Sequence, residues 1–269
     1  MKKYHILFLA FLLLLPISFA DITIQTEQST YNLGNKIRVS ASVFRDTNFE
    51  GLFKLSASCG SYSLQYFLTP VSLEANFRTA VNVPEIVASS PMLGSCAIIG
   101  TLVTNENLVI EEGRSGNFEV TSKLIVLPVN PKISALPGET INVTGLVNEA
   151  FGSNALKASA SLLLDNSSYT AEAVDGKFSF TLELPKTIKS GMHTIEISAS
   201  DSKNNLGSAS MYLEVNAVPT YIKADLSSQN LLPGSKVEIT SSLYDQAGDL
   251  INASLGLELD APNSNKVFN

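Results

Sequence analysis

Three stretches of the chain alternate hydrophobic and polar residues with a period of two, the pattern of strands with one buried and one solvated face. Each stretch begins three residues after a glycine. The stretches are Gly34 with Ile37, Val39, Ala41 and Val43; Gly138 with Ile141, Val143, Gly145 and Val147; and Gly234 with Val237, Ile239, Ser241 and Leu243. We therefore predict three strands that occupy the same place in three repeats of one fold.

The spacing of the repeats indicates the fold class. The three glycines lie 104 and then 96 residues apart, a length typical of one immunoglobulin-like β-sandwich. Helical spacing is not sustained after residue 20, and Gly and Pro interrupt the apolar runs at short intervals. We predict an all-β chain of tandem immunoglobulin-like β-sandwiches, with domain 1 at 21–122, domain 2 at 123–217 and an incomplete domain 3 at 218–269.

The third repeat is short for a sandwich, because only about half the length of its neighbours follows Val218. Half a sandwich exposes a sheet edge and cannot bury enough surface to stand alone. We expect the chain to be the N-terminal part of a longer tandem array. Completion of the third repeat by a strand from another subunit is the alternative.

The first twenty residues have the three parts of a secretory signal peptide. Lys2 and Lys3 begin a nearly unbroken apolar run at 6–15, and Ser18 and Ala20 supply the small residues that a signal peptidase recognises. Asp21 is then the first mature residue. An uncleaved membrane anchor is the alternative, but the run is shorter than the roughly 20 residues that a spanning helix needs. We predict an exported protein without a membrane span in 21–269.

Composition excludes one large class of function. The net charge is -7 and becomes -9 when the two signal lysines leave, which is the wrong sign for a nucleic-acid binder. Charged residues make up 16% of the chain, against about 25% in an average soluble domain. Ser, Thr and Asn therefore have to supply much of the polar surface.

One motif carries a resemblance to known families. Leu232-Pro233-Gly234, with Val237 and Ile239 after it and a polar turn at 244–249, resembles the opening of prokaryotic immunoglobulin-like surface repeats and, more loosely, of macroglobulin-type domains. The resemblance implies a stalk, adhesin, surface-layer part or accessory module of a secreted enzyme. Its partners would be other cell-surface proteins or envelope components. It implies no catalytic residue, and the macroglobulin thioester motif is absent at Cys59.

Cys59 and Cys96 are the only cysteines, and both lie in domain 1. An even number of cysteines in an exported chain favours a disulfide, and both positions fall in predicted neighbouring strands. A reactive thiol pair is the alternative, although the Cys-x-x-Cys spacing is missing. His193, the one histidine left after the signal peptide, follows Gly191 in a predicted strand, and we interpret it as an ordinary strand residue.

No cofactor is predicted, apart from calcium as an open alternative in the polar turns. The segment 46–51 reads D-T-N-F-E-G but lacks the bidentate Glu of an EF-hand. Asp245, Asp249 and Asp260 could line a calcium site between repeats. The favoured interpretation is turn chemistry, because Asp, Asn and Gly reverse the chain in turns.

Two kinds of covalent modification are also consistent with the sequence. The candidate glycosylation acceptors are Asn142, Asn166 and Asn252, each in an Asn-x-Ser/Thr sequon. Their number is close to the chance expectation for so many Ser and Thr residues. Lys132 and Asn216 lie where some surface immunoglobulin-like domains carry an isopeptide bond, but that reaction needs a buried acid beside the pair.

These observations favour a non-catalytic extracellular or cell-surface protein: a semi-rigid rod of repeats with a structural or adhesive role. We expect domain 1 to contact the partner, through a longer loop at Asn105–Gly116. The alternative is a set of accessory modules of a secreted hydrolase whose catalytic domain lies beyond Asn269. Carbohydrate binding would need exposed aromatic rings, for which Tyr62, Tyr66 and Phe67 are the candidates, although packing explains them more simply.

Overall fold

The computed structural model describes residues 20–260 except 229, 231 and 233, together with 266–268. The predicted signal peptide at 1–20 lies outside the described residues, apart from Ala20. The described chain is all-β, and its one helical segment is a 3-10 turn at Ser90–Met92. In this part of the chain no helix is long and apolar enough to cross a membrane.

The chain divides into two compact units. Unit 1 comprises 1–123, 149–153 and 202–206, and unit 2 comprises 124–148, 154–201 and 207–269. Two short turns from later in the chain therefore belong to unit 1, and the third repeat belongs to unit 2. The break after Lys123 falls one residue beyond the end of domain 1 in the sequence prediction.

Unit 1 is a β-sandwich whose strands form two main sheets. One sheet has the order β1-β4-β7, and the other has the order β2-β11-β9-β5-β6, with β10 on β9; β3 and β8 form a separate pair. The strands are β1 (Ala20–Thr26), β2 (Thr30–Asn32), β3 (Lys36–Ile37), β4 (Val39–Arg45), β5 (Phe49–Cys59), β6 (Tyr62–Leu73), β7 (Phe77–Val81), β8 (Ile86–Val87), β9 (Gly94–Val103), β10 (Val109–Arg114) and β11 (Phe118–Thr121).

The core of unit 1 follows the period-two pattern. On β4, Ala41 and Val43 are buried, and on β5 Phe53, Leu55 and Ala57 have no exposed surface. These side chains lie between the two sheets and form one continuous cluster. Alternate positions face solvent, because successive side chains of a strand point to opposite sides of the sheet.

The prediction of a long loop at Asn105–Gly116 is wrong. The chain turns at 104–108 and returns along β9 as β10 (Val109–Arg114). In the sequence, two consecutive glutamates, Glu111 and Glu112, interrupt the alternation of apolar and polar residues that would indicate a strand. Backbone pairing with β9 makes it a strand, because an edge strand needs only one partner.

Unit 2 contains the second sandwich and the third repeat. Its main sheet has the strand order β12-β14-β17-β16-β15-β18-β19-β13 and folds over one apolar core. β16 and β17 share one residue pair, Val174 with Lys177, across the two-residue turn that joins them. The strands are β12 (Leu124–Pro128), β13 (Lys132–Ala135), β14 (Thr140–Glu149), β15 (Lys157–Leu164), β16 (Ser167–Val174), β17 (Lys177–Glu183), β18 (Gly191–Ser200), β19 (Leu206–Val215), β20 (Tyr221–Leu226), β21 (Ile239–Tyr244), β22 (Leu259–Asp260) and β23 (Lys266–Phe268).

The three repeats open with the same strand pair. β1 pairs with β4, β12 with β14, and β20 with β21, so the alternating stretches do occupy one place in three repeats. Gly34, Gly138 and Gly234 all have positive φ, at 86°, 79° and 86°. Only glycine adopts this conformation without a steric penalty, which explains its place before each strand. Pro233 of the repeated motif lies outside the described residues.

Candidate functional sites

Cys59 and Cys96 form a disulfide, with an S–S distance of 2.06 Å and a Cα–Cα distance of 4.1 Å. They occupy directly opposite positions on β5 and β9, so the bond lies within one sheet. Cys59 is 5% exposed and Cys96 1% exposed. The pair is therefore a buried cross-link between two central strands.

The aromatic residues next to the disulfide pack on the core of unit 1. Leu55 pairs with Phe67 and Ser56 with Gln65, so Tyr66 has no partner on β5 and forms a β-bulge. The bulge shifts the alternation by one position, and both Tyr66 and Phe67 contact the core. Burial raises the pKa of Tyr66, whose buried hydroxyl has no partner among the described residues. These rings act in packing, as the simpler interpretation of the sequence has it.

His193 lies on β18, and both of its ring nitrogens are occupied. Nδ1 lies 3.0 Å from Asp165 Oδ2, and Nε2 lies 2.9 Å from the Lys189 carbonyl. Both partners are hydrogen-bond acceptors, so the protonated ring, which has a donor on each nitrogen, satisfies both contacts. Burial lowers the pKa of His193, but the bonds to the Lys189 carbonyl and to Asp165 outweigh it and leave this pKa raised.

A general base needs one ring nitrogen free to take a proton from the reacting group. His193 has neither nitrogen free, and it holds the β15–β16 turn against the start of β18. Its geometry is that of a structural residue, and its contacts with Asp165 and with the Lys189 carbonyl could not be predicted from the sequence.

Asp245, one of the calcium candidates, is buried and already hydrogen-bonded. Ser190 Oγ donates to Oδ2 at 2.6 Å, and the backbone N–H groups of Ala247 and Asp249 donate to Oδ1 at 2.9 and 2.8 Å. The Ser190 bond is the main reason that the pKa of Asp245 is lowered. These contacts are turn chemistry. The side chain of Asp260 lies outside the described residues.

The other calcium candidate, the β4–β5 turn, makes a polar contact with the β6–β7 turn. Asn48 Oδ1 accepts a hydrogen bond from the backbone of Ala75 at 2.7 Å. The described residues contain no group of three or more His, Cys, Asp or Glu side chains that could hold a metal ion.

The candidate modification sites lie at the surface. Asn142, Asn166 and Asn252 are all exposed, with Asn166 in the turn between β15 and β16 and Asn142 accepting a hydrogen bond from Thr181 at 2.9 Å. Glycosylation at these positions stays a prediction.

Lys132 and Asn216, the candidate isopeptide pair, have other partners. Lys132 Nζ lies 2.8 Å from Glu214 Oε2, and these side chains are 48% and 41% exposed. The hydrogen bond from Lys132 lowers the pKa of Glu214. Asn216 donates its backbone N–H to the Ala135 carbonyl. The lysine therefore takes part in a surface ion pair, where the reaction would need a buried acid.

Two turns from the second repeat make specific polar contacts inside unit 1. Asn205 is fully buried; its Nδ2 donates to the Leu33 carbonyl at 3.0 Å, and its Oδ1 accepts from the Leu33 N–H at 3.2 Å. The Ala150 N–H donates to Asn32 Oδ1 at 2.7 Å. The sequence gives no signal for the burial of Asn205, since nothing in the polar run at 201–205 marks one residue as buried.

A turn of the third repeat makes similar contacts inside unit 2. Gln246 Nε2 donates to the Ile188 carbonyl at 2.8 Å, beside the bond between Ser190 and Asp245. The turns Glu149–Ser153 and Asp245–Asp249 hold the same place after the opening strand pair, and each closes with a bond from its first N–H to its last carbonyl. Turns of the later repeats are thus contact elements.

These strand orders define tandem immunoglobulin-like β-sandwiches. The chain matches no protein-family model, and no curated protein matches it. Three similar solved structures are a red sea bream transglutaminase (13% identity over 72% of this chain and 31% of that one, TM-score 0.37), a tetra-tandem repeat from the extending region of a large adhesion protein (16%, 88%, 62%, 0.35) and titin Ig tandem domains (10%, 73%, 96%, 0.28).

The chain spans less than a third of the transglutaminase and less than two thirds of the adhesion-protein repeats. At these identities and scores the matches do not assign a function. The fold class rests on the strand order of the chain itself.

Proposed function

We propose that this chain is a non-catalytic structural or adhesive protein of the cell exterior, built from tandem immunoglobulin-like repeats. The observation that carries the proposal is the way both sandwiches close. β2 pairs in parallel with β11, from Thr30 with Glu119 to Asn32 with Thr121. β13 pairs in parallel with β19, from Lys132 with Tyr212 to Ala135 with Val215.

This closure suits a protein that bears tension. The chain reaches β13 from its N-terminal end and leaves β19 from its C-terminal end, and the two strands run in the same direction. Pulling along the chain therefore slides one strand past the other, and several hydrogen bonds must break together. In an antiparallel pair of end strands, the start of the first strand and the end of the last lie side by side. Pulling on these two points would break the hydrogen bonds between the strands one at a time.

Two polar groups of the kind that serve catalysis in other proteins make structural contacts in this chain, which supports the proposal. The imidazole of His193 holds a turn through both nitrogens, and the carboxylate of Asp245 holds another. The disulfide between Cys59 and Cys96 suits an oxidising compartment. The basic start and apolar run at 1–20 supply the expected export signal.

Single-molecule pulling on the second sandwich tests the mechanical part. Lys132→Cys with Asn216→Cys gives a shearing attachment, because Asn216 is exposed and its N–H bonds to Ala135 at the far end of the pair. Lys132→Cys with Tyr212→Cys gives an unzipping attachment at a paired position. The two native cysteines are bonded to each other, so the new thiols are the reactive ones. We expect a several-fold higher unfolding force in the shearing geometry. Equal forces would contradict a mechanical role.

Export is tested separately with the full chain in a bacterial host. We expect the protein outside the cytoplasm with Asp21 as its first residue. Leu13→Arg, which interrupts the apolar run, should keep it inside, and Lys132→Arg serves as a control outside the signal. A wild-type chain that stays in the cytoplasm with residues 1–20 attached contradicts the proposed location.

A further inference from the structure

The turn between β9 and β10 and the first two residues of β10 present three consecutive apolar residues to solvent. Leu108 is 62% exposed, Val109 60% and Ile110 39%. Runs of exposed apolar residues are rare on soluble surfaces unless they contact something. Three glutamates accompany them, and together the six residues are called the tip surface: Glu106, Leu108, Val109, Ile110, Glu111 and Glu112.

The exposure is built into an ordered turn. The Thr104 N–H donates to the Leu108 carbonyl and the Asn107 N–H to the Thr104 carbonyl, both at 2.9 Å. Asn107 has a positive φ of 70°, which turns the chain back toward β9. The pairing of β10 then shifts between Val109 and Glu111, so Ile110 forms a bulge. A bulge at a sheet edge redirects side chains, here at the centre of the tip surface.

The second repeat has a residue at the position equivalent to Leu108, and that residue is a buried contact residue. Leu108 follows Gly94 at the same interval as Asn205 follows Gly191, and both glycines begin equivalent strands. Asn107 and Asn204 share positive φ, at 70° and 67°. Asn205 is a fully buried contact residue of unit 1, bonded to Leu33. The same position in the first repeat, Leu108, carries an apolar side chain that is 62% exposed, and the equivalence points to a contact position there as well.

Charge narrows the choice of partner. Glu106, Glu111 and Glu112 flank the apolar centre, while Lys54, the cation beside the turn, already donates to Asn107. An acidic rim repels an anionic membrane and a second copy of the same surface, and it attracts Lys and Arg. We propose that the tip surface binds a protein whose contact area has an apolar centre flanked by Lys or Arg. This deepens the proposed function by naming the contact surface.

The test uses two synthetic peptides and the oxidised chain 21–269 labelled with 15N. One peptide has lysines flanking a leucine cluster, and the other has glutamates in place of the lysines. We expect saturable amide shifts at 104–112 with the lysine peptide alone, weakening as salt is added. Leu108→Ser with Val109→Thr and Ile110→Thr should weaken binding about tenfold or more. Leu163→Thr on β15, where the leucine is 41% exposed, is the matched control.

Replacing the three glutamates by glutamine should weaken binding and remove its salt dependence. This second variant tests the proposal even if the apolar triple variant does not fold. Equal shifts with both peptides, shifts outside 104–112, or unchanged binding by the apolar triple variant would overturn the proposal. Binding of the tip surface to phosphatidylcholine vesicles would also overturn it, as would self-association that the apolar triple variant abolishes. Pulling forces and export are measured without the peptides, so each proposal can fail alone.

Discussion

Breaking the bond between Cys59 and Cys96 should destabilise unit 1 and leave unit 2 folded. The bond joins residues 37 positions apart, and the chain-entropy model assigns such a loop about 4 kcal/mol of unfolding free energy at 25 °C. Cys59→Ala with Cys96→Ala also removes two buried sulfur atoms, which adds roughly 1 kcal/mol for each, by comparison with a buried methylene. Reduction of the wild type should therefore cost less than the double substitution.

Calorimetry of the full chain, with hydrogen exchange read segment by segment, separates the two units. A loss of this size should lower the melting temperature of unit 1 by about 15–30 °C, since each kcal/mol shifts a domain of this length by about 4–8 °C. Exchange should speed up in β5 and β9 and stay unchanged in β15 and β18, because unit 2 contains no cysteine. A loss below about 1 kcal/mol, or an equal change in unit 2, would refute the reasoning.

Three further changes probe packing, a buried amide and a titrating group. Gly145→Ala should destabilise unit 2 by about 1–3 kcal/mol, because its Cβ would lie 2.3 Å from a phenylalanine ring carbon. Asn205→Ala should cost unit 1 about 1–3 kcal/mol, since a backbone N–H and a carbonyl lose their buried partner. The pKa of His193 in the folded protein is raised above its ordinary value of about 6.5. His193 therefore contributes its full stabilisation at pH values below about 6.5, and this contribution is lost as the pH rises through the higher folded pKa. His193→Gln should remove that pH dependence.

Denaturant unfolding measures all three. Gly116→Ala is the control for crowding, because nothing lies within 4 Å of its new Cβ, and it should change stability by less than about 0.5 kcal/mol. Equal losses at Gly145 and Gly116 contradict the steric explanation. An Asn205→Ala protein as stable as the wild type contradicts the importance of the buried amide. A His193→Gln protein that keeps the slope with pH points to another titrating group.

The strands could be predicted where the alternation is regular. Phe178, Phe180, Leu182 and Leu184 alternate along β17 and its end, and all are buried. The prediction failed on β10, because Glu111 and Glu112 interrupt the pattern of an edge strand. Local pattern predicts a strand only when burial on one face imposes it.

The candidate site was less predictable. The disulfide could be predicted, because a chain with two cysteines allows only one pairing within the chain. The contact turns had no such signal. Asn205 and Asn204 are neighbours of the same type, yet Asn205 is fully buried and Asn204 exposed.

By itself the sequence determined the all-β class, the repeats and their opening strands, since a period of two and a glycine with positive φ are local properties of the chain. Tertiary structure alone decided which polar residues are buried and which apolar ones stay exposed. Leu108 and Asn205 hold equivalent places in two repeats, yet the apolar Leu108 is exposed and the polar Asn205 is buried. The reason is physical: burial depends on what another part of the molecule places against a residue, and hydrogen bonds at that contact can compensate for burying an amide.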